Sequence, residues 1–121
     1  MSYYDNCTIP KPGNKKKEKL CNGYKHKASR TCCYCGTPGA ERHEVYGGPN
    51  RQNSIKNGFQ VDLCHLCHRE IEDNISYQAK ERNEYWKQYY QSQYEAKLIE
   101  AGASEKQARE LWMHLIGRNY L

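Results

Sequence analysis

The sequence has little with which to build an ordinary hydrophobic core. Leu, Ile, Val and Phe supply 16 of its 121 residues, with a single Phe and two Val, and mean hydropathy is -1.10. A chain this poor in aliphatic side chains cannot offset the entropy of folding by burial alone. Long apolar runs are missing as well: none approaches the roughly 20 residues of a membrane span. The opening Met1-Ser-Tyr-Tyr-Asp-Asn-Cys7 contains nothing like the apolar stretch of a secretory signal. A cytoplasmic protein is expected, and there cysteines serve more often as metal ligands than as disulfides. The length excludes a TIM barrel or a Rossmann domain and fits one small domain. What is present instead is 11 Tyr, 2 Trp and 7 Cys. Small domains with deficient cores are stapled by disulfides or by metal.

The net charge of +5 is unevenly spread. Residues 1–30 hold eight Lys and Arg against only Asp5 and Glu18, and the remainder is near neutral. With Pro10, Pro12, Gly13 and Gly23, this stretch reads as a basic flexible arm. Its Lys15, Lys16, Lys17 and Lys19 suit salt-dependent contact with nucleic-acid phosphates, and the alternative is a solubilising tail.

From Thr31 the character changes, and residues 31–75 read as a compact module followed by a helical extension over 76–121. Glu41 to Tyr46 reads as a strand. A polar loop through Arg51, Asn53 and Ser54 then ends at the turn Asn57-Gly58. Phe59, Val61 and Leu63 alternate with Gln60 and Asp62, the period of a second, half-buried strand. After Cys67 a long helical segment carries Ile71, Ile75, Ala79, Arg82, Trp86, Tyr90 and Leu98 as one stripe. Gly102 ends it, Ser104 to Gln107 is a capping box for a short last helix, and Gly117 closes that helix.

Cys32-x-x-Cys35 and Cys64-x-x-Cys67 stand 28 residues apart. Two thiolates at this spacing reach one tetrahedral ion, and two such pairs complete a structural zinc site. Paired disulfides or free thiols are the alternative. Cys33 is able to substitute for Cys32. Such a zinc would serve folding.

A purely structural zinc domain has no need of His43, Glu44, Asn57 or His68. The order of knuckle, strand with His43-Glu44, Asn-bearing loop, strand, and Cys64-His-Leu-Cys-His68 leading into a helix resembles the small HNH-type (ββα-metal) endonucleases of bacteriophages. The likeness rests on Glu41-Arg-His-Glu-Val-Tyr-Gly-Gly48, Asn50-Arg51 with Ser54 and Gly58, and Leu63-Cys-His-Leu-Cys-His-Arg69. Its specific part spans about 45 residues, Thr31 to Asn74. The fold it implies is a small zinc-stapled α+β domain: a ββα hairpin plus helix, with a basic N-terminal arm, a long helix and a short C-terminal helix. The function it implies is metal-dependent hydrolysis of DNA phosphodiester bonds, in the host cytoplasm if the protein is phage-encoded. By resemblance, His43 is the general base, and Glu44 and His68 hold a catalytic Mg²⁺, Mn²⁺ or similar ion. The family's strand usually places the base second, so a strict frame exchanges the two roles: Glu44 as base, His43 as ligand. Asn57 stands for the family's central Asn, two residues earlier than the usual count from Cys64, and Asn53 is a further candidate. Arg51 is assigned to phosphate contact. The alternative function is a catalytically silent module of the same build, gripping nucleic acid or a host or phage protein.

Overall fold

The computed structural model describes residues 24–121. Lys15, Lys16, Lys17, Lys19, Cys7 and Cys21 lie outside the described residues. These residues form a small α+β unit with one two-stranded antiparallel sheet and four α-helices. Strand β1 (Glu41–Glu44) pairs with β2 (Gln60–Leu63), Glu41 opposite Leu63 and Glu44 opposite Gln60. Val61 and Leu63 are buried and Gln60 and Asp62 are not, as a period of two demands. Both strands are one or two residues shorter than expected. Val45, Tyr46 and Phe59 leave the ladder, although Val45 still donates its amide to the Phe59 carbonyl at 3.0 Å.

The strand connection is not the expected loop. It contains a 3₁₀ turn (Gly48–Asn50) and helix α1 (Arg51–Asn57). Only Ile55 is apolar in α1, so no helical periodicity shows. Asn57-Gly58 is the helix end rather than a hairpin turn. Gly58 adopts φ +74 and returns its amide to the carbonyls of Ile55 and Ser54, a glycine C-cap.

The long helical segment is likewise two helices, α2 (His65–Asp73) and α3 (Tyr77–Glu100). Asn74 takes the left-handed conformation, φ 52, and Ser76 caps α3 by accepting the Ala79 amide at 3.0 Å. Ile75 therefore falls at the corner and is 78% exposed, outside the stripe that Ile71 and Ala79 occupy. Asn83 fixes the corner, donating to the Ile71 carbonyl and to Asn74 Oδ1 at 2.9 and 3.0 Å. Helix α4 (Glu105–Leu115) begins at Ser104 with the expected capping box. No helix among the described residues is long and apolar enough to cross a membrane.

Aromatic rings supply the mass that aliphatic residues do not. Trp112 is fully buried and meets Tyr46 and Tyr94 edge-on at centroid distances of 5.3 and 5.5 Å. Phe59 packs against Tyr46 at 5.5 Å. The Trp112 indole donates to the Arg118 carbonyl, so no polar atom of the ring is stranded. Asn50 and Asn53 donate to the carbonyls of Ile116 and Leu115, fastening α1 to the end of α4. Trp112→Ala should cost about 3–5 kcal/mol, read as a lowered urea midpoint.

Folded structure also begins earlier than an arm ending at residue 30 implies. Tyr24–Ser29 form a 3₁₀ helix, and Arg30 is 8% exposed. The Arg30 carbonyl accepts the amides of Gly39 and Ala40, and its guanidinium lies 3.6 Å from Asp62.

Candidate metal centres

The first centre is built by two tight knuckles. In one, Gly36 donates its amide to the Cys32 carbonyl and Cys32 donates to Thr37, both at 2.9 Å. Tyr34, at the tip, leans on α3. Its hydroxyl accepts the Trp86 indole at 2.7 Å, and Arg82 lies 3.6 Å above its ring. In the other knuckle, Cys64 is the N-cap of α2, its sulfur accepting the Cys67 amide at 3.4 Å. The four sulfurs of Cys32, Cys35, Cys64 and Cys67 lie within 4.8 Å of one another, with Cys35 and Cys64 at 3.5 Å. Tetrahedral thiolates around zinc stand about 3.8 Å apart, whereas a disulfide needs about 2.05 Å. These four residues are close enough to hold a metal such as zinc. Cys33 is exposed and outside the group. Its amide donates to the Asp62 carbonyl.

The charges within this group favour a cation. Burial opposes ionisation of Cys32, but backbone hydrogen bonds at Cys64, Cys35 and Tyr34 outweigh it and bring the thiol down to about 6. Cys67 is pushed up to about 12, first by burial and then by its neighbours Cys64 and Cys32. One thiolate forms readily and the next is resisted, so a divalent ion must offset their repulsion. Binding then expels the proton that Cys67 retains at neutral pH. Zinc affinity, measured by chelator competition, should therefore tighten by at least about tenfold per pH unit near neutrality.

The second group sits where the sheet meets α2. Within β1, the Arg42 side chain is 39% exposed, while Glu44 is 11% and His43 9% exposed. His68 lies on the first turn of α2, and Glu72 follows one turn later on the same face. The His43 and His68 rings meet edge-on at 5.1 Å. Ligand atoms of His43, His68 and Glu72 all lie within 4.8 Å of one another. Glu41 at the start of β1 approaches His68 Nδ1 at 2.8 Å, while Nε2 faces the Glu72 carboxylate at 3.2 Å. A carboxylate behind one ring nitrogen fixes the tautomer and leaves the other free to ligate. The His68 hydrogen bond in turn holds the Glu41 carboxyl below its usual range, against the opposing effect of burial. Burial, then the charges of His68 and Lys87, hold His43 down to about 4. Its imidazole is neutral at physiological pH, the form that binds metal.

Of the residues singled out from sequence, Glu44, Asn57 and Asn53 fall outside this group. His68 joins His43, while Glu44 is not in the three-residue group. Consecutive strand residues face opposite ways, and Glu44 instead accepts from Arg51 Nε at 3.0 Å. It does line the same open cleft, of about 330 Å³, with His43, Glu72, Asn83 and Lys87. Asn57 ends α1, exposed, its amide donating to the Asn53 carbonyl at 2.8 Å, and it is not among the residues lining that cleft. Asn53 ties α1 to α4. Glu72 and Glu41 were not anticipated. The signal for Glu72 was its i,i+4 spacing from His68 on a helix. No protein-family model matches the chain, and no curated protein or solved structure matches it.

Proposed function

We propose that the chain is a metal-dependent nuclease of the HNH type that hydrolyses DNA phosphodiester bonds. In this reading a structural zinc sits on Cys32, Cys35, Cys64 and Cys67, and a catalytic divalent ion sits on His43, His68 and Glu72. The observation that carries it is the pair of separate ligand groups on one hairpin-and-helix unit, four sulfurs on one side and two imidazoles with a carboxylate on the other. Two imidazoles and a carboxylate suit a borderline or hard ion and leave positions open for substrate. When bound, such an ion supplies Lewis-acid stabilisation at the scissile phosphate and the leaving oxygen.

With His43 inside the ligand group, the exchanged assignment of roles fits better: His43 as ligand, Glu44 as the base that takes a proton from the attacking water. Arg51, hydrogen-bonded to Glu44, then orients that carboxylate rather than gripping phosphate. Lys15, Lys16, Lys17 and Lys19 remain the proposed backbone contacts to DNA. The engagement of Glu44 by Arg51 is also what favours the silent binding module, because a carboxylate so held is a weaker base.

A plasmid-nicking assay tests the reading. The zinc-loaded chain should convert supercoiled DNA to nicked or linear forms with at least one of Mg²⁺, Mn²⁺, Co²⁺ or Ni²⁺, and EDTA should stop it. If no ion supports cleavage, the silent module stands.

A further inference from the structure

We propose that Lys87, on helix α3, binds the phosphoryl oxyanion beside the His43–His68–Glu72 group, a contact supplied from outside the hairpin-and-helix unit. The identity of the substrate as a phosphodiester rests on the preceding reading. The placement of Lys87 does not.

Lys87 shares the cleft with His43, Glu44 and Glu72. Its position is set by β1 rather than by α3 alone. The hydroxyl of Tyr46, two residues beyond β1, donates to the Lys87 carbonyl at 2.5 Å, and Tyr46 is 2% exposed. Asn83, one turn earlier, is pinned to the Ile71 carbonyl of α2. The helix thus cannot slide or rotate without breaking contacts to both elements that carry the ligand group.

Among the described residues no carboxylate lies within 4.0 Å of the Lys87 ammonium. The ammonium lies 5.5 Å from the centroid of the Tyr120 ring, and the Arg118 guanidinium lies 5.3 Å from the same centroid. Half-burial and the charge of Arg118 both press the ammonium below the ordinary lysine range. An anion in the cleft would relieve both effects. A lysine ammonium is a compact point charge well suited to a phosphate oxygen.

The test uses the full zinc-loaded chain with Mg²⁺ and inorganic phosphate as probe. Phosphate titration should shift the amide resonances of Gly47, Asn74 and Asn83, which line the cleft. Lys87→Met keeps the aliphatic stem beside Tyr120 and removes the charge. It should weaken phosphate binding about tenfold, while Lys87→Arg should stay within about threefold of the parent. Lys87→Gln replaces the Met variant if that one loses its zinc or its helical circular dichroism. In the nicking assay the neutral variant should lower kcat/KM by about tenfold or more. A parent chain with no phosphate-induced shifts at those amides, or a neutral variant that binds phosphate like the parent, overturns the proposal. A parent that binds phosphate through Lys87 yet cuts no DNA would instead remove the nuclease reading and leave an anion site.

Discussion

Stripping the metal from the four cysteines is expected to unfold the domain rather than loosen one corner of it. Apparent binding energies of structural zinc, about 10–16 kcal/mol, rival or exceed the whole stability of a small domain, about 5–15 kcal/mol. Cys32 and Cys64 are members of the core cluster itself, packed with Val61, Leu63 and Ile71. Cys64 also joins β2 to α2 and caps that helix, so its loss frees the strand–helix angle that brings His43 to His68. Cys64→Ala should yield a zinc-free chain without near-ultraviolet tyrosine and tryptophan dichroism. A strong chelator should do the same to the parent. Cys33→Ser, one residue from a ligand but exposed, should keep one equivalent of zinc and the parent's urea midpoint. A metal-free chain that still unfolds cooperatively at that midpoint would show that the aromatic core suffices without zinc.

His43→Ala and His68→Ala are expected to reduce DNA cleavage by at least about a thousandfold, with zinc content unchanged. Each removes one of three donors, and neither side chain is a member of the four-cysteine group. Glu72→Ala should behave likewise. Glu41→Gln should lose less, about 10–100-fold, because Glu41 lies outside the ligand group and orients the His68 ring. Glu44→Gln separates base from ligand: cleavage falls while the affinity for the second ion is preserved. The measurements are nicking rates beside Mn²⁺ affinity. If the His43 and His68 variants both cut like the parent, the nuclease reading fails.

The parts of this architecture legible in the sequence are those fixed by local spacing. Each C-x-x-C pair is a single knuckle, and the capping box at Ser104 is set by a four-residue segment. Both need no knowledge of distant neighbours. His68 was visible for the same reason, next to Cys67. Glu72 was obscured because the helix beyond Arg69 reads as one charged surface, and only the partner strand shows which of its exposed carboxylates lies beside His43 and His68. His43 and Glu44 illustrate the limit directly. The pair is evident from sequence, but the side of the strand that meets α2 is decided by packing of Val61 and Leu63 across the sheet. Helix α1 escaped notice because it is held by tertiary anchors, Ser54 to the Tyr46 backbone and Asn53 to Leu115, rather than by an apolar stripe. The break at Asn74 has a signal in Ser76, masked by the regular recurrence of Ile71, Ile75 and Ala79.

The seating of Trp112 and Ile116 among Cys32, Val45 and Phe59 bears on how the chain is made. Translation supplies all four thiols and both strands by residue 67, well before Trp112 and Ile116. The ring cluster stays open on one side until residues 112 to 116 clear the ribosome. Until then Tyr46 and Phe59 lack the Trp112 ring against which both pack. With zinc bound at the four cysteines, its supply during translation is expected to set how much of the newly made protein reaches its native state.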